Sequence, residues 1–304
     1  MDMATSTKDP VRGVNSAQPD YLSVPWVTIT WFGILLILCY APILRHLIYQ
    51  WSTDEDMGHG FFVPIISGFI AWQRRAELLR QPLKSSNWGW VVLAIGALWE
   101  LLGSLGAQIV VQRTAFLVSL VGIVLILGGA KALRILSFPL FLLLFMIPIP
   151  AVIYGQITLP LQLFASKVAE MALSALGIPV LRDGNILELA SQKLSVVEAC
   201  SGIRSLLSLS FLSLIYAYFF DNKVWMRYVL LAATVPIAII ANAGRVTITG
   251  ILSEFRTDLA RGFFHTMEGW VVFLIALVFL IGFHRFVNSV YRRMHPTEGP
   301  AHGI

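Results

Sequence analysis

Charged side chains are scarce in this sequence. Asp, Glu, Lys and Arg make up 13% of its 304 residues, whereas 57% are hydrophobic. A soluble domain has about 25% charged residues, so this chain carries too little charge to cover a soluble domain of its size. Apolar runs long enough to cross a bilayer recur instead, and in lipid a helix satisfies its own backbone hydrogen bonds. The sequence therefore predicts an all-α, polytopic membrane helical bundle.

Cysteines and several common motifs are also rare or absent. The two cysteines, Cys39 and Cys200, are too few for a disulfide framework. The sequence contains neither glycine-rich phosphate-binding pattern, and no His/Glu pair has the HExxH spacing of a zinc peptidase. We therefore expect no cofactor and no metal site. The net charge of +5 alone does not indicate nucleic-acid binding.

Apolar segments divide the chain into about eight predicted transmembrane helices. Residues 1–26 form a polar tail that lacks the apolar core of a signal peptide, so the first span is expected to act as the insertion signal. A transmembrane domain over 27–290 and a second tail over 291–304 follow. The predicted spans are 27–48, 60–73, 88–108, 114–130, 134–150, 203–220, 225–251 and 267–288.

Basic residues predict the orientation. With both termini cytoplasmic, most of the 22 Lys and Arg residues lie in cytoplasmic segments, as the positive-inside rule requires. The outer loops hold fewer, among them Arg113, and the first outer loop, 52–58, holds three acids (Asp54, Glu55 and Asp56) and no base. We expect a multi-pass protein of the inner membrane.

The segment between the fifth and sixth spans is less regular. Over 152–177, apolar and polar residues favour opposite faces, which is typical of an amphipathic helix on the outer membrane surface, kinked at Pro160. A ninth span here would move later basic loops outside, against the charge rule. Residues 184–197 alternate loosely and predict a small hairpin at the surface.

Three reactive residues that are distant in sequence are predicted at one depth. Cys200 precedes the sixth span at its outer end, and His265 begins the eighth span on the same side. Arg245 lies about 30 Å along the seventh span from its inner end. An ionisable group inside a span is costly and therefore indicates function. Together the three predict a reactive site at the outer membrane boundary.

A thiol, a guanidinium and an imidazole are typical of a cysteine nucleophile. The thiolate is the reactive form, and a helix N-terminus and neighbouring cations favour it. Arg245 could stabilise the oxyanion of a tetrahedral intermediate, while His265 could transfer a proton to the leaving amine. The small residues Ser201 and Gly202 would allow an extended peptide to approach the backbone.

Each of these residues also has a structural interpretation. A cysteine at a helix start is more often a packing residue, and we expect that role for Cys39. His265 alone could be an interfacial side chain, so the shared depth of the three residues is what favours a site. Secondary candidates for substrate binding are Arg204, one helical turn after Cys200, and His59, Asn242 and Glu198.

At these residues the sequence resembles the exosortase family. The resemblance covers roughly residues 30–290, and its most specific part is the Cys-Ser-Gly-x-Arg block. As a variant without a fused C-terminal domain, the sequence resembles the exosortase B branch. The matching segments are Glu198–Ser205 (EACSGIRS), Ala241–Arg245 (ANAGR), Phe264-His265 with Gly269, and His59-Gly60-Phe61 with Pro64 and Trp72–Arg75.

This resemblance implies a membrane cysteine peptidase or transpeptidase. Its partners would be the lipid bilayer and membrane-anchored proteins that end in a Pro-Glu-Pro motif, a spanning helix and a basic tail. Cys200 would attack near the motif and form a thioester, which water or an acceptor resolves. Related archaeosortases can carry Arg where this chain has His265, so the division of roles between Arg245 and His265 stays open.

Two other functions also remain open from the sequence. A transporter or export component for polysaccharide or lipid would use Arg245 to line a polar pathway, and thiol alkylation would not affect it. A non-catalytic assembly scaffold would tolerate Arg245→Ala apart from its effect on stability.

Overall fold

The fold is a bundle of α-helices with one small β-sheet. The computed structural model describes residues 26–80, 84–190, 192–196, 202–255 and 263–295. The helices are α1 (Trp26–Cys39), α2 (Ala41–Thr53), α3 (Phe62–Gln73), α4 (Arg75–Arg80), α5 (Trp88–Leu105), α6 (Ile109–Leu142), α7 (Ala151–Ala175), α8 (Gly202–Phe220), α9 (Val224–Phe255) and α10 (Phe263–Met294), with 3-10 helices at Glu55–Phe61 and Leu143–Met146.

Four stretches in the described part of the chain are long and apolar enough to cross a membrane. They are Trp88–Leu105, Ile109–Met146, Val224–Glu254 and Trp270–Met294. Helices α1 and α2, which meet at 70°, add a fifth if they are counted as one broken span. The all-α membrane class is therefore confirmed, whereas the count of eight spans is not. Two predicted spans correspond to shorter helices, namely α3, with 12 residues, and α8.

Helix α6 contains two of the predicted spans, 114–130 and 134–150. Near its start Arg113 donates to Gln50, and just after its end the carbonyl oxygen of Met146 accepts from Trp51. Gln50 and Trp51 are neighbours on α2, so both ends of α6 lie beside the same turn of α2. A straight helix of 34 residues would be about 50 Å long. The chain must therefore reverse direction within α6.

Gly129 makes this reversal. Its φ is +66°, in the left-handed region that disfavours every residue with a Cβ. A Cβ at this position would also collide with the carbonyl oxygen of Lys84. The reversal lies close to the boundary between the two predicted spans, 114–130 and 134–150. A single glycine, Gly129, is enough to produce it.

We expect Gly129→Ala to destabilise the protein by about 1–3 kcal/mol, because it forces a Cβ into a strained backbone conformation and a collision. The measurement is the midpoint of thermal unfolding of the purified protein in detergent. Gly155→Ala in α7 is the matched control, since a Cβ there meets open space. Equal shifts in the two variants would contradict the role given to Gly129.

Glycines bring α5 and α6 into close contact. They line one face of α5 at heptad spacing: Gly89, Gly96 and Gly103. A Cβ at Gly89 would lie 2.5 Å from the backbone nitrogen of Ile126, and one at Gly122 would lie 2.7 Å from that of Leu93. Small interface residues let helix backbones approach, which is a main source of helix association in membranes. The two helices therefore pack backbone against backbone.

Helices α8, α9 and α10 share a core. The residues 221–223 join α8 to α9, so these helices are antiparallel neighbours. Their buried contacts include Leu209, Met226, Leu230, Ala276 and Leu280. We name the two ends of the bundle after residues that lie there. The start of α8 marks the Arg204 end, and the 221–223 connection marks the Asp221 end.

A three-stranded antiparallel sheet lies between α7 and α8. Its strands are β1 (Val180–Asp183), β2 (Ile186–Leu189) and β3 (Lys193–Ser195), in that order. The hairpin predicted over 184–197 is thus confirmed as β2 and β3, and β1 adds a strand. Leu187 of the sheet packs with Leu173 of α7 and Val246 of α9, all fully buried. Gln192 donates to Ser253 of α9 at 2.8 Å.

Helix α7 occupies the segment predicted to be amphipathic. It is not among the candidate spans, and it runs from Ala151 to Ala175 through Pro160 without a break. Its buried face consists of Ala165, Ser166, Ala169 and Leu173. This face holds the sheet, because the hydroxyl of Ser166 donates to the carbonyl oxygen of Gly184 at 2.9 Å.

Candidate active site

Separate segments converge on one carboxylate at the Arg204 end. Nε of Arg204 donates to Oδ1 of Asp56 at 2.9 Å. The hydroxyl of Tyr154 donates to Oδ2 of the same carboxylate at 2.7 Å. These residues, which we call the Asp56 cluster (Asp56, Tyr154 and Arg204), join the first 3-10 helix to the starts of α7 and α8.

The position of Asp56 follows from its local structure. Asp54 has an extended backbone and caps the 3-10 helix, because its Oδ1 accepts from the backbone N–H of Asp56 at 2.9 Å. Gly60 lies against the indole of Trp51, and a Cβ at Gly60 would be 2.5 Å from that ring. The Trp51 Nε1–H is itself held by the carbonyl oxygen of Met146 at 3.0 Å. The 3-10 helix is therefore fixed against the bundle.

The Asp56 cluster lies at the boundary of the protein interior. The side chains of Arg204 and Asp56 are 38% and 23% exposed, and an ion pair this accessible contributes little to stability. Its effect is to orient the guanidinium. Burial, and then the hydrogen bond to Asp56, raise the pKa of Tyr154 above its ordinary value. Tyr154 therefore stays protonated and remains a donor at neutral pH.

His59 lies next to this cluster, half-buried. Its Nδ1 is 3.5 Å from Oγ of Ser208, one turn after Arg204 on α8, and its ring packs near Phe211. Nε2 is buried without a hydrogen-bond partner among the described residues. Burial lowers the pKa of His59, although the Asp56 carboxylate and nearby backbone carbonyls oppose this. His59 is therefore a neutral imidazole at neutral pH, suited to transfer a proton.

Arg245 and Asn242 lie on α9. Both are buried, with 9% and 7% of their surface exposed. The adjacent Ala243 and Val246 pack against α7 and the sheet, so this part of α9 lies beside the segment that leads into Cys200. A buried guanidinium in an apolar helix is costly, and the prediction of an intramembrane arginine agrees with this burial.

The remaining predicted site residues are only partly described. Glu198, Cys200 and Ser201 lie outside the described residues, and Gly202 is the first residue of α8. His265 lies in the first turn of α10, and its side chain lies outside the description. The structure thus brings His59 and Arg204 together. The proposed set of Cys200, Arg245 and His265 stays a prediction.

Asp56, Tyr154 and Ser208 also lie at this candidate site, and the sequence pattern does not single them out. Asp56 stands three residues before His59, in an acidic loop whose charge pattern predicts only the orientation of the chain. Tyr154 was included in an amphipathic helix. One signal was available for Ser208, because it follows Arg204 at helical spacing and shares its face.

Arg113 requires a correction. The charge count placed it in an outer loop, but it lies in α6 and is 4% exposed. Its Nη2 donates to Oε1 of Gln50 at 2.6 Å and lies 3.0 Å from Nδ1 of His46. Nε2 of Gln50 in turn donates to Oδ2 of Asp54 at 3.4 Å. Polar contacts therefore run from a buried arginine to the cap of the 3-10 helix that carries Asp56.

No group of three or more His, Cys, Asp or Glu side chains within the described ranges could hold a metal ion. The chemistry available at the Arg204 end is that of charged hydrogen bonds, a protonated phenol and a neutral imidazole. Such groups bind and polarise a polar substrate and move protons.

A family model described as transmembrane exosortase (Exosortase_EpsH) matches residues 51–282. The match runs from the end of α2 into α10 and includes the Asp56 cluster, Cys200, Arg245 and His265. No curated protein and no solved structure matches the chain. Exosortases are membrane cysteine peptidases or transpeptidases. Since the match covers more than half of the sequence, the chain belongs to the transmembrane exosortase family.

Proposed function

We propose that this protein is a membrane-embedded cysteine protease or transpeptidase that cleaves C-terminal Pro-Glu-Pro sorting signals of exported proteins. The observation that supports the proposal is the family match, which covers every proposed site residue in one uninterrupted range, 51–282. The thiolate of Cys200 bonds to the carbonyl carbon near the motif. The peptide C–N bond then breaks, and the membrane tail leaves as a protonated amine.

The thioester left on Cys200 is resolved in a second step. Water gives a free carboxylate, and an amine or hydroxyl acceptor gives an attached product. Both pathways regenerate the thiol. Arg245 and His265 serve as oxyanion stabiliser and proton donor, with their division of labour open.

Arg204 has a role of its own in this proposal. Cys200 precedes Gly202, the first residue of α8, by two residues, which span at most about 7 Å. Cys200 therefore belongs to the same end of α8 as Arg204. A helix N-terminus and a guanidinium both favour a thiolate, and the Arg204 guanidinium also contributes to stabilising the oxyanion. Asp56 acts as a positioning residue, because it holds Arg204 through Nε at 2.9 Å. Asn242, Ser201, Gly202, Glu198 and His59 are proposed to bind substrate or support the site.

The finer topology is also part of this proposal. Both termini are cytoplasmic in the inner membrane, and the Arg204 end faces the periplasm. Helix α6 crosses twice because it reverses at Gly129, and with α3 and α8 as short crossings the chain has about eight spans. Supporting the orientation, arginines and lysines are frequent at the Asp221 end.

Thiol labelling tests the orientation. The chain has two cysteines, so in the Cys39→Ala variant only Cys200 can react. We expect a membrane-impermeant maleimide added to intact spheroplasts to label this variant, because the reactive end faces outward. The Cys39→Ala/Cys200→Ala double variant, which has no cysteine, is the matched control and should stay unlabelled. Labelling of Cys200 only after permeabilisation would reverse the orientation.

Mass spectrometry tests the reaction. The purified protein is mixed in detergent with a substrate that ends in a Pro-Glu-Pro motif, a spanning helix and a basic tail. We expect a new C-terminus near the motif. In H₂¹⁸O, one heavy oxygen marks hydrolysis, whereas a product mass that includes an added amine marks transpeptidation. Intact substrate after incubation with folded enzyme would contradict the proposed function.

A further inference from the structure

A basic pocket lies at the Asp221 end, far from the proposed active site. Helices α8 and α10 line an open pocket with a volume of about 600 Å³. Tyr216 and His284 form its inner wall. Its rim consists of Arg285, Ser289, Arg292 and Arg293, one above another on α10. We call this space the basic pocket.

A hydrogen-bond network fixes the inner wall. His284 is 6% exposed, and its Nε2 lies 3.0 Å from Oδ2 of Asp221. Its Nδ1 lies 3.0 Å from the hydroxyl of Tyr216. Nδ2 of Asn288 donates to Asp221 at 2.9 Å, and Lys223 donates to Oδ1 of Asn288 at 2.9 Å. The wall is therefore organised before any ligand arrives.

Among the described residues, the lining of the pocket contains no carboxylate, and the network engages Asp221, which contacts the inner wall through His284. Burial raises the pKa of Asp221, but the hydrogen bonds from His284, Asn288 and the backbone of Lys223 outweigh it and leave the pKa below its ordinary value. Asp221 is therefore an anion that is already engaged by its own partners. It does not neutralise the arginines of the rim.

The rim arginines Arg285, Arg292 and Arg293 are exposed. Within the ranges that the structure describes, no ion pair includes Arg285, Arg292 or Arg293. Three guanidinium groups around one opening attract an anion, and their planar forks match the oxygens of a phosphate. The pocket is thus suited to a phosphate group.

The residues around the pocket indicate which kind of molecule carries the phosphate group. Phe220 and Phe286, beside the pocket, are 71% and 64% exposed. Trp225 and Tyr291 pair their rings nearby, 5.5 Å apart. Aromatic side chains of this kind collect at the level of lipid headgroups, and basic pockets between transmembrane helices bind anionic headgroups. We propose that the basic pocket binds a phosphate, that of an anionic phospholipid headgroup.

Thermal unfolding of the full-length protein in detergent tests this site. The probes are dioleoylphosphatidylglycerol, dioleoylphosphatidylcholine and millimolar inorganic phosphate. We expect phosphatidylglycerol to raise the unfolding midpoint and phosphatidylcholine to leave it unchanged. In the R285Q/R292Q/R293Q variant, the phosphatidylglycerol concentration needed for half the shift should rise about tenfold or more, since each basic residue adds to the attraction.

Two variants separate the site from general charge effects. R75Q/R80Q/R134Q removes the same charge from exposed arginines elsewhere at the Asp221 end and should respond like the wild type. R285K/R292K/R293K keeps the charge and should keep part of the response. A normal response in the glutamine pocket variant, or equal losses in both glutamine variants, would overturn the proposal.

The measurement with inorganic phosphate shows whether the pocket binds a lipid headgroup or a soluble phosphate. A midpoint shift with inorganic phosphate that equals the lipid shift and disappears in the R285Q/R292Q/R293Q variant would confirm the pocket but assign it to a soluble phosphate. A shift with phosphatidylglycerol alone assigns it to lipid. Neither result depends on Cys200, so the proposal stands or fails separately from the proposed function.

Discussion

Replacing Cys200 by alanine is expected to abolish release of the membrane tail, with a loss in kcat of about 10⁴-fold or more. Without a thiolate no thioester forms, and water alone does not attack a peptide bond at a useful rate. The measurement is the rate at which a Pro-Glu-Pro-tailed substrate is shortened, with the enzyme at wild-type level. Cys39→Ala is the matched control, because Cys39 lies in α1 with its side chain exposed. It should keep full activity.

Further measurements would support or contradict this prediction. Cys200→Ser should also be inactive, since a serine hydroxyl at this position lacks the low pKa of a thiol. Wild-type enzyme treated with hydroxylamine during turnover should release a hydroxamate of the substrate, which is characteristic of a thioester. Processing by the alanine variant at the wild-type rate would exclude Cys200 as the nucleophile.

Arg204→Ala is expected to lower kcat by about 10²–10³-fold, the usual cost of removing one group that stabilises developing charge. Asp56→Ala should cause a smaller loss, of about tenfold, because it frees the guanidinium without removing it. Asp56→Glu should recover part of the rate. The measurement is kcat and KM for the tailed substrate, since a residue that acts on the transition state lowers kcat more than it changes KM.

The double variant distinguishes positioning from structural damage. If Asp56 works through Arg204, adding Asp56→Ala to Arg204→Ala should cost nothing further. The Arg182–Glu170 pair offers a matched control, because it is also an Nε–carboxylate contact, at 2.7 Å, with 30% and 33% exposure. Glu170→Gln should leave kcat unchanged. Additive losses from Asp56 and Arg204 would show that the two act independently.

Asp56 illustrates why part of the site was hidden in the sequence. Arg204 and His59 could be found because each stands beside a recognisable reactive segment. Asp56 contacts Arg204 across 148 positions of sequence. Nothing in a run of acids in a loop specifies which carboxylate turns inward. That choice is made by the cap on Asp54 and the packing of Gly60 on Trp51, which are tertiary contacts.

Arg113 illustrates a different failure. Hydropathy assigns a charged residue between apolar runs to a loop, because burying charge is costly. In the folded chain His46 and Gln50, one turn apart on α2, provide hydrogen bonds to Arg113. These hydrogen bonds offset the cost of burying the Arg113 charge, and a hydropathy sum over one segment does not include them.

The fold was predictable to the level of class and segments. Apolar runs located most helices, and the loose alternation of 184–197 located the sheet. The number of crossings was harder, because length and hydropathy do not decide whether short helices such as α3 and α8 cross the membrane. In α6 the direction of the chain depends on the backbone of Gly129 alone. A single φ angle has no signature in a hydropathy profile.

The contact between α5 and α6 has a consequence for the variation that this protein tolerates. No amino acid is smaller than glycine, so the line formed by Gly89, Gly96 and Gly103 is already at the limit of closeness. Substitution there can only increase the distance between the two axes. Selection for greater thermal stability must therefore act at other surfaces, and this face of the helix pair is expected to accept almost no sequence drift.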